Sequence, residues 1–391
     1  MPITVLIVDD SSFFQRVLKE IISENTSFNV VGVASNGQEA IEKVKSLQPD
    51  VVTMDYEMPM MDGVTAVREI MASNPLPILM LSSMTFSGAK ITIDALEAGA
   101  ADFMTKNFAE ISGKGAAIKK RLYDILTALS QSKTLVKNSK EGVSNAKKSP
   151  TTATLLRDNN ASGISCSVVS SPKASPANQR QSVEEQKSTV AEATYCLPND
   201  RTLAKTIKLV AIGASTGGPA ALTELLKPIP ANFRLPILII QHMPENFTLA
   251  FSQRLKKQCN IEVKEAEDGD YIQPGRALLA PGGKQMIVDK NNKNRVKVTD
   301  STTDIHYKPC IDISFASISN SYNDTVLGII LTGMGSDGCD GARLLKQKKS
   351  TIWTQSEDSC VVYGMPMAVD KAQLSSASLN IYDMADCLKK F

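Results

Sequence analysis

Histidine and tryptophan are nearly absent from this sequence, which has two histidines and one tryptophan among its 391 residues. The seven cysteines are scattered and form no C-x-x-C pair, which argues against a zinc ribbon or a redox motif. We read them as reduced thiols in a reducing compartment. The 43 basic and 41 acidic residues leave a formal net charge of +2, which provides no overall field for binding nucleic acid or a membrane surface.

Long apolar runs are also lacking. No stretch approaches the length of a membrane span, and the amino terminus shows neither a basic region nor a cleavage site of a signal peptide. We therefore expect a cytoplasmic protein. An apolar share of 42% is ordinary for a globular chain, and the length suffices for two or three domains with their own cores.

Three segments differ in composition. In 1–130, short β-branched runs such as TVLIVDD, PDVVTMD and PILMLSS alternate with amphipathic stretches, which predicts five βα units and a doubly wound parallel sheet. In 131–205 this periodicity gives way to Ser, Thr, Lys, Asn and Ala, which predicts a long flexible linker between two domains. In 206–391 the βα alternation returns, and a stretch rich in glycine and proline, 268–289, predicts β-hairpins inserted into a second α/β domain.

Acidic residues end two strands of the first segment. Asp9 and Asp10 follow the first predicted strand, and Asp55 ends the third. In a flavodoxin-like strand order these strands are neighbours, so the three carboxylates converge at one edge of the sheet and suit Mg²⁺. Asp55 could then attack phosphorus, while Ser82 and Lys106, which close the fourth and follow the fifth strand, could contact the new phosphoryl group.

The first segment resembles a two-component response-regulator receiver through VDD, MDYEMPMMDG and TK. One departure is Asn107, where the family usually has proline. The resemblance implies Mg²⁺ as the cofactor of phosphorylation and a histidine kinase as phosphodonor. It also implies the roles of individual residues: Asp55 as phosphoacceptor, Asp10 and Asp55 as metal ligands with Asp9 in support, the backbone at Glu57 as a further ligand, Ser82 and Phe103 as switch positions, and Lys106 as the family's lysine.

The stretch LVAIGASTGGPAALTELL, residues 209–226, breaks an apolar strand at a glycine and resumes as a helix. It satisfies G-x-S-x-G, which is typical of a nucleophilic serine on a tight turn, here Ser215. A phosphate-binding loop would require a second glycine at position 215 and an acidic residue at the end of the next strand. That strand ends at Gln241 and His242 instead, which favours a nucleophile with an imidazole base.

The partners of the serine follow from the remaining strand ends. Of the two histidines, His242 shares the sheet edge with Ser215, whereas His306 follows a polar stretch and fits a surface or substrate-rim position. Asp337 follows another apolar strand and is the predicted orienting carboxylate; the nearby Asp340 fits a turn residue better. The backbone N–H of Thr216, with that of Met334 as a second donor, would form an oxyanion hole.

The third segment resembles the catalytic domain of chemotaxis protein-glutamate methylesterases through five motifs in order: IGASTGGP, QHMP, LAPGG, LTGMGSDG and SCVVYGMP. In a sixth stretch, Lys308 and Cys310 stand where that family often has arginine and serine. The resemblance gives Ser215, His242, Asp337, Thr216 and Met334 the roles just predicted. It implies a serine hydrolase without a cofactor for the esterase reaction, acting on methylated glutamates of chemoreceptor helices and deamidating glutamines there.

Other classes of function remain as alternatives. The second domain could be a non-catalytic module that binds a ligand or a partner. A dinucleotide oxidoreductase is disfavoured because position 215 is not glycine, and a DNA-binding output would need a basic recognition helix that the sequence does not contain. A Cys–His hydrolase is disfavoured because no cysteine ends a strand beside His242.

Overall fold

The computed structural model describes residues 1–83, 85–106, 116–132, 206–300 and 308–391. These residues belong to one compact unit that contains two parallel sheets. The predicted linker, 131–205, lies outside the described residues except for its first two, as do Asn107 and His306. Within the described ranges, no helix is long and apolar enough to cross a bilayer.

The first sheet has five parallel strands in the order β2-β1-β3-β4-β5. The predicted doubly wound parallel architecture is therefore confirmed for this segment, and β1 and β3 are neighbours. The buried β-branched runs explain why these strands lie inside the layers of helices. The strands are β1 Ile3–Val8, β2 Phe28–Ala34, β3 Val51–Asp55, β4 Ile78–Ser82 and β5 Asp102–Thr105.

Five helices of the described residues accompany the first sheet. Side-chain caps define where several of them begin: Asn36 accepts a hydrogen bond from the Glu39 N–H, and Asp62 accepts one from the Thr65 N–H. Their apolar faces pack against the sheet through residues such as Leu18 and Val67. The helices are α1 Ser12–Ser23, α2 Gly37–Leu47, α3 Gly63–Ser73, α4 Phe86–Glu97 and α5 Ala116–Ser130.

The second sheet has seven strands in the order β14-β13-β12-β6-β7-β9-β8, and every pairing in it is parallel. The strand that carries the serine motif, β6, lies between β12 and β7, so three strand ends meet at one point of the carboxyl edge. The strands are β6 Leu209–Ala214, β7 Ile237–Gln241, β8 Glu262–Glu265, β9 Arg276–Leu279, β12 Val326–Ile330, β13 Thr351–Gln355 and β14 Ala377–Leu379.

One antiparallel hairpin interrupts this parallel pattern. It pairs β10, Lys284–Val288, which lies in the predicted stretch 268–289, with β11, Val296–Asp300, which follows that stretch. The same stretch also contains β9, which joins the parallel sheet between β7 and β8 rather than forming a hairpin. The reason is burial, because Ala277, Leu278 and Leu279 are apolar on both faces and fill a buried parallel strand.

Within 206–300 and 308–391, six helices and a short 3₁₀ turn, Glu357–Ser359, complete the second α/β region. The two that matter most for the site, α8 and α9, follow the hairpin and β12 and pack against each other. The helices are α6 Gly218–Leu226, α7 Phe247–Gln258, α8 Ile311–Tyr322, α9 Cys339–Gln347, α10 Met365–Lys371 and α11 Ile381–Leu388.

Candidate functional sites at the two sheet edges

The carboxyl edge of the first sheet holds three carboxylates. Asp9 and Asp10 follow β1 and Asp55 ends β3, and one oxygen from each lies within 4.8 Å of the others. Asp9 and Asp55 are buried, whereas Asp10 is exposed. Because β1 and β3 pair directly, their ends place these side chains together as the strand order predicts.

Lys106 lies among these carboxylates. Its Nζ is 2.7 Å from Asp9 Oδ2 and 2.7 Å from Asp55 Oδ2, and it also lies 4.9 Å from the centroid of the Phe14 ring. Burial raises the pKa of Asp55, and the hydrogen bond and charge of Lys106 oppose that rise. One ammonium group cannot balance three carboxylates, so the oxygen-only cluster fits a hard divalent cation that retains water ligands.

The predicted switch residues lie on β4 and β5, beside this cluster. The hydroxyl of Ser82 is buried and accepts a hydrogen bond from Thr92 Oγ1 on α4 at 2.6 Å. Phe103 is also buried, and its ring stacks on that of Phe247 with 4.5 Å between centroids and 9° between planes. Phe247 is the first residue of α7, so Phe103 joins the first sheet to the second α/β region. Glu57 is exposed in the loop after β3.

At the second sheet, Ser215 directly follows β6. Its backbone N–H donates to Thr332 O at 3.1 Å, and its own carbonyl accepts from the Gly218 N–H at 2.8 Å, which closes the turn into α6. Gly333 lies against Ser215: a Cβ atom there would stand 2.8 Å from Ser215 Cβ and still closer to Met365 Sδ. Only glycine therefore lets the loop after β12 approach the serine this closely.

His242 follows β7 and faces Ser215. Its backbone N–H donates to Ala214 O at 3.0 Å, and its Nδ1 lies 3.2 Å from Ser215 Oγ. Its Nε2 lies 2.7 Å from Asp337 Oδ2. The carboxylate therefore fixes the proton on Nε2 and leaves Nδ1 to accept the serine proton. The ring nitrogens are used in the opposite sense to the chymotrypsin-like triad, in which Nε2 faces the serine.

Asp337 lies on the loop between β12 and α9 and is nearly buried. In addition to His242 it accepts hydrogen bonds from the N–H groups of Ile311, at 2.8 Å, and Asp312, at 3.0 Å. Burial alone would raise the pKa of Asp337, but the interaction with His242 and these backbone donors lower it well below its usual range. The structure thus brings Ser215, His242 and an ionised Asp337 into one hydrogen-bonded chain, while Asp340 is exposed and pairs with Arg343.

Thr216 and Met334, the predicted oxyanion donors, flank the serine on two sides. Thr216 lies between β6 and α6, and its carbonyl accepts from Thr332 Oγ1 at 2.9 Å. The carbonyl of Gly333 accepts from the N–H groups of Gly364 and Met365, at 3.1 and 2.8 Å. Since the N–H of a trans peptide points away from its carbonyl, these bonds fix the direction of the Met334 N–H.

Three polar residues that the sequence patterns did not indicate lie around Ser215, His242 and Asp337. Gln241 Nε2 donates to Ser215 O at 2.9 Å and to His242 O at 3.1 Å, so it links the backbone of Ser215 to that of His242. Gln355 Oε1 accepts from the Thr332 N–H at 2.8 Å. The thiol of Cys310 lies 3.3 Å from Asp337 Oδ1, and burial raises its pKa to about 12, so it remains a neutral donor. The position of Gln241 directly before His242, at a strand end, was the one available signal.

The first sheet and its helices lie against this second site. Burial raises the pKa of the Asp102 carboxyl group on β5, and the neighbouring Thr216 side chain opposes that rise. Helix α4 packs on α7, where Arg254 pairs with Asp94, at 3.2 Å, and with Glu97. Met334 and the neighbouring Val361 pack against the apolar cluster that includes α5. Residues next to Ser215 therefore contact the region that carries the carboxylate cluster.

Comparison with known proteins gives matches over both regions. Residues 210–388 match the CheB methylesterase family model, and residues 5–115 match the response regulator receiver domain model. A protein-glutamate methylesterase/protein-glutamine glutaminase of Saccharophagus degradans is 48% identical over 97% of this chain and 96% of its own length. One from Pseudomonas syringae pv. syringae is 49% identical over 98% of both. The CheB methylesterase catalytic domain of Thermotoga maritima is 34% identical, covers 47% of this chain and 98% of that one, and has a TM-score of 0.45.

Proposed function

The chain belongs to the family of CheB methylesterases that carry a response regulator receiver domain, and on that premise we propose that it is a phosphorylation-regulated serine hydrolase. Its substrates are methyl esters of glutamyl side chains in methylated chemoreceptors, from which it releases methanol. It also deamidates receptor glutamines. The proposed domains are a receiver over 1–130 and a methylesterase domain over 206–391, joined by the linker 131–205.

The first step is the attack of Ser215 Oγ on the ester carbonyl. His242 Nδ1 takes the hydroxyl proton, while its Nε2–H remains hydrogen-bonded to Asp337. The new C–O bond places negative charge on the former carbonyl oxygen, which the N–H groups of Thr216 and Met334 stabilise. Because the pKa of Asp337 lies well below its usual range, this residue stays ionised and stabilises the imidazolium that forms.

Collapse of the tetrahedral intermediate breaks the bond to the leaving group. His242 returns its proton to the methoxide oxygen, and methanol departs from an acyl-enzyme on Ser215. Water then attacks with the same base, and a glutamate carboxylate is released. With a glutamine side chain the leaving group is ammonia, and the other steps are unchanged.

In the receiver, Asp55 is the proposed phosphoacceptor. Asp10 and Asp55, with Asp9 in support and the Glu57 carbonyl, would hold Mg²⁺, which when bound offsets the negative charge that builds up between the phosphodonor and these carboxylates. Lys106 is already within 2.7 Å of Asp55 Oδ2 and is placed to pair with a phosphoryl oxygen. Ser82 would contact the phosphoryl group after turning from its bond with Thr92.

Phosphorylation of Asp55 is proposed to open the esterase site. The contacts of Asp102 with Thr216, and of the α5 cluster with Met334, support this because they involve the two proposed oxyanion donors. A receiver packed in this way restricts access to the hydroxyl of Ser215. Phosphorylation would shift the population towards an arrangement without these contacts, with Phe103 and Phe247 separating.

The partners follow from the same premise. We propose a cytoplasmic location, with the helices of methylated chemoreceptors as substrate and a chemotaxis histidine kinase as phosphodonor. The names of the relatives support a protein-glutamate methyl ester as the substrate.

The observation that carries the proposal is the hydrogen-bonded chain from Ser215 through His242 to Asp337. The test is methanol release from a methylated chemoreceptor fragment, with the enzyme activated by beryllofluoride and Mg²⁺. Ser215→Ala is expected to lower the rate by about 10⁴-fold or more. Ser321→Ala, near the other end of α8, serves as the matched control with an unchanged rate. Absence of methanol release from the unchanged protein would favour a non-catalytic binding module, and full activity of Ser215→Ala would contradict Ser215 as the nucleophile.

A further inference from the structure

Two helices begin side by side at the carboxylate of the triad. Asp337 directly precedes Gly338 at the N-cap position of α9, and Asp312 is the second residue of α8. The first turn of each helix has backbone N–H groups without partners inside the helix, and these favour a negative charge. The two helices pack closely, so each lies within reach of the other's acidic side chain.

Asp337, which lies just before α9, binds the first turn of α8. Asp337 accepts from the N–H groups of Ile311 and Asp312, at 2.8 and 3.0 Å. The thiol of Cys310, the N-cap residue of α8, also points to Asp337 instead of capping its own helix. These bonds determine which oxygen of Asp337 is directed to His242.

Asp312, in the first turn of α8, binds the first turn of α9. Asp312 Oδ1 accepts from the Gly338 N–H at 2.9 Å and from the Gly341 N–H at 2.6 Å. Gly338 has φ of +96°, a left-handed conformation that suits glycine, and its lack of a side chain leaves α9 without a cap of its own. Asp312 therefore supplies the cap that α9 lacks.

The hydrogen bonds of Asp312 to the start of α9 constrain Asp337, and with it the triad, through the backbone. The N–H that Gly338 donates to Asp312 belongs to the peptide unit directly after Asp337, so Asp312 fixes the orientation of that unit. Loss of the bond would free the left-handed turn at Gly338 and with it the position of the Asp337 carboxylate relative to His242. A displacement of about 1 Å in such a group can lower a rate by about 100-fold.

Retaining Asp312 has an electrostatic cost. Burial raises the pKa of Asp312 to about 6, and the charge of Asp337 adds to the rise, while the Gly341 N–H opposes it. A cap without a further role could be any short polar residue. The hydroxyl of serine or threonine would cap α9 without bringing a second carboxylate towards the first.

We propose that Asp312 is a positioning residue of the esterase reaction, which holds Asp337 at hydrogen-bonding distance from His242 by binding the first turn of α9. This inference rests on the proposed function and adds to it a residue that does not touch the reacting atoms. Asp312 acts through Asp337, so its removal is expected to lower kcat and to leave KM nearly unchanged.

The test compares Asp312→Ala and Asp312→Asn in the full chain, activated with beryllofluoride and Mg²⁺, by methanol release from a methylated receptor fragment. Asp312→Ala is expected to lower kcat about 10- to 100-fold with KM within about twofold. Asp312→Asn keeps an acceptor oxygen for both N–H groups and is expected to retain most of kcat. Asp340→Ala is the matched control, because Asp340 lies in the same first turn of α9 but is exposed. Should the alanine variant fail to fold, Asp312→Leu, which has a side chain of similar size without an acceptor atom, replaces it.

A second measurement separates positioning from simple helix capping. The low-field proton resonance of His242 Nε2–H reports its hydrogen bond to Asp337, and it is expected to shift in Asp312→Ala but not in Asp340→Ala. The inference is overturned if Asp312→Ala lowers the melting temperature while kcat per folded enzyme and the resonance stay unchanged, or if Asp312→Asn loses as much kcat as Asp312→Ala. If Ser215→Ala is fully active, the proposed function itself fails; if only Asp312→Ala is normal, this inference alone fails.

Discussion

At the carboxyl edge of the first sheet three carboxylates meet one ammonium group, whereas at the same edge of the second sheet a hydroxyl, an imidazole and a single carboxylate form a chain. Both sites depend on paired parallel strands that end together. They differ in how negative charge is balanced, because the first cluster has excess carboxylate that suits a divalent cation, and the second binds its carboxylate with backbone N–H groups. Similar topology thus supports phosphoryl chemistry at one edge and acyl transfer at the other.

The largest expected effect tests whether Ser215 and His242, at the edge of the second sheet, depend on the carboxylate of Asp337. Asp337→Asn keeps the shape of the side chain but removes the charge and presents an amide N–H to His242, which disfavours the tautomer with its proton on Nε2. We expect kcat for methanol release to fall about 10⁴-fold, as in other triads. Asp383→Asn, exposed on α11, is the control. A loss below about tenfold would mean that the second edge does not depend on its carboxylate.

The next effect concerns the first edge. Asp55→Asn removes the proposed phosphoacceptor, so the increase of esterase rate on adding beryllofluoride and Mg²⁺ is expected to disappear entirely. Glu42→Gln, on the exposed side of α2, should respond like the unchanged protein. A retained response in Asp55→Asn would show that the carboxylate cluster is not where the activating group binds.

The sequence predicts some features of these two sites and not others. The parallel sheets and the meeting of Asp9, Asp10 and Asp55 follow from β-branched runs that end in acidic residues, so they were predictable. The backbone donors to Asp337 were not, because α8 begins more than twenty residues before it in the sequence and the letters PCIDIS carry no signal for a cap. The parallel pairing of β9 was missed since glycine and proline around it suggested turns.

Sequence patterns also did not predict the contact between the two regions. The stacking of Phe103 on Phe247, and the approach of the Thr216 side chain to Asp102, join residues that are distant in the chain and carry no shared motif. Local periodicity predicts which face of an element is buried, but not which element covers it. The domain bounds and the roles of the individual site residues stay predictions that the variants above and below can test.

A smaller effect tests whether ion pairs between the two regions keep the esterase activity low. Arg254→Ala removes the pairing of α7 with Asp94 and Glu97 on α4. Partly exposed ion pairs contribute about 0.2–1 kcal/mol each, so loss of both is expected to raise the esterase rate of the unphosphorylated protein about two- to thirtyfold. Arg234→Ala is the exposed control. An unchanged rate in Arg254→Ala would argue that these ion pairs do not help to hold the receiver on the esterase site.

The smallest expected effect is a pH dependence of stability at the second edge. The pKa of Asp312 is raised to about 6 in the folded protein, so this group favours folding while protonated and costs stability as pH rises from about 4 through about 6. Differential scanning calorimetry should show that Asp312→Asn gains stability over the unchanged protein between pH 5 and pH 7.5, by about 1 kcal/mol after allowance for solvent screening. A gain that is the same at both pH values would contradict the raised pKa.

The central claim is that Ser215 is an activated nucleophile that the receiver controls. Labelling with a fluorophosphonate followed by peptide mass spectrometry tests it most directly, because the reagent reacts with a serine hydroxyl only where a base activates it. We predict one adduct, on Ser215, which forms faster after addition of beryllofluoride and Mg²⁺ and is lost in His242→Gln. Methanol release that continues while Ser215 stays unlabelled, or labelling at a rate that activation does not change, would contradict the account.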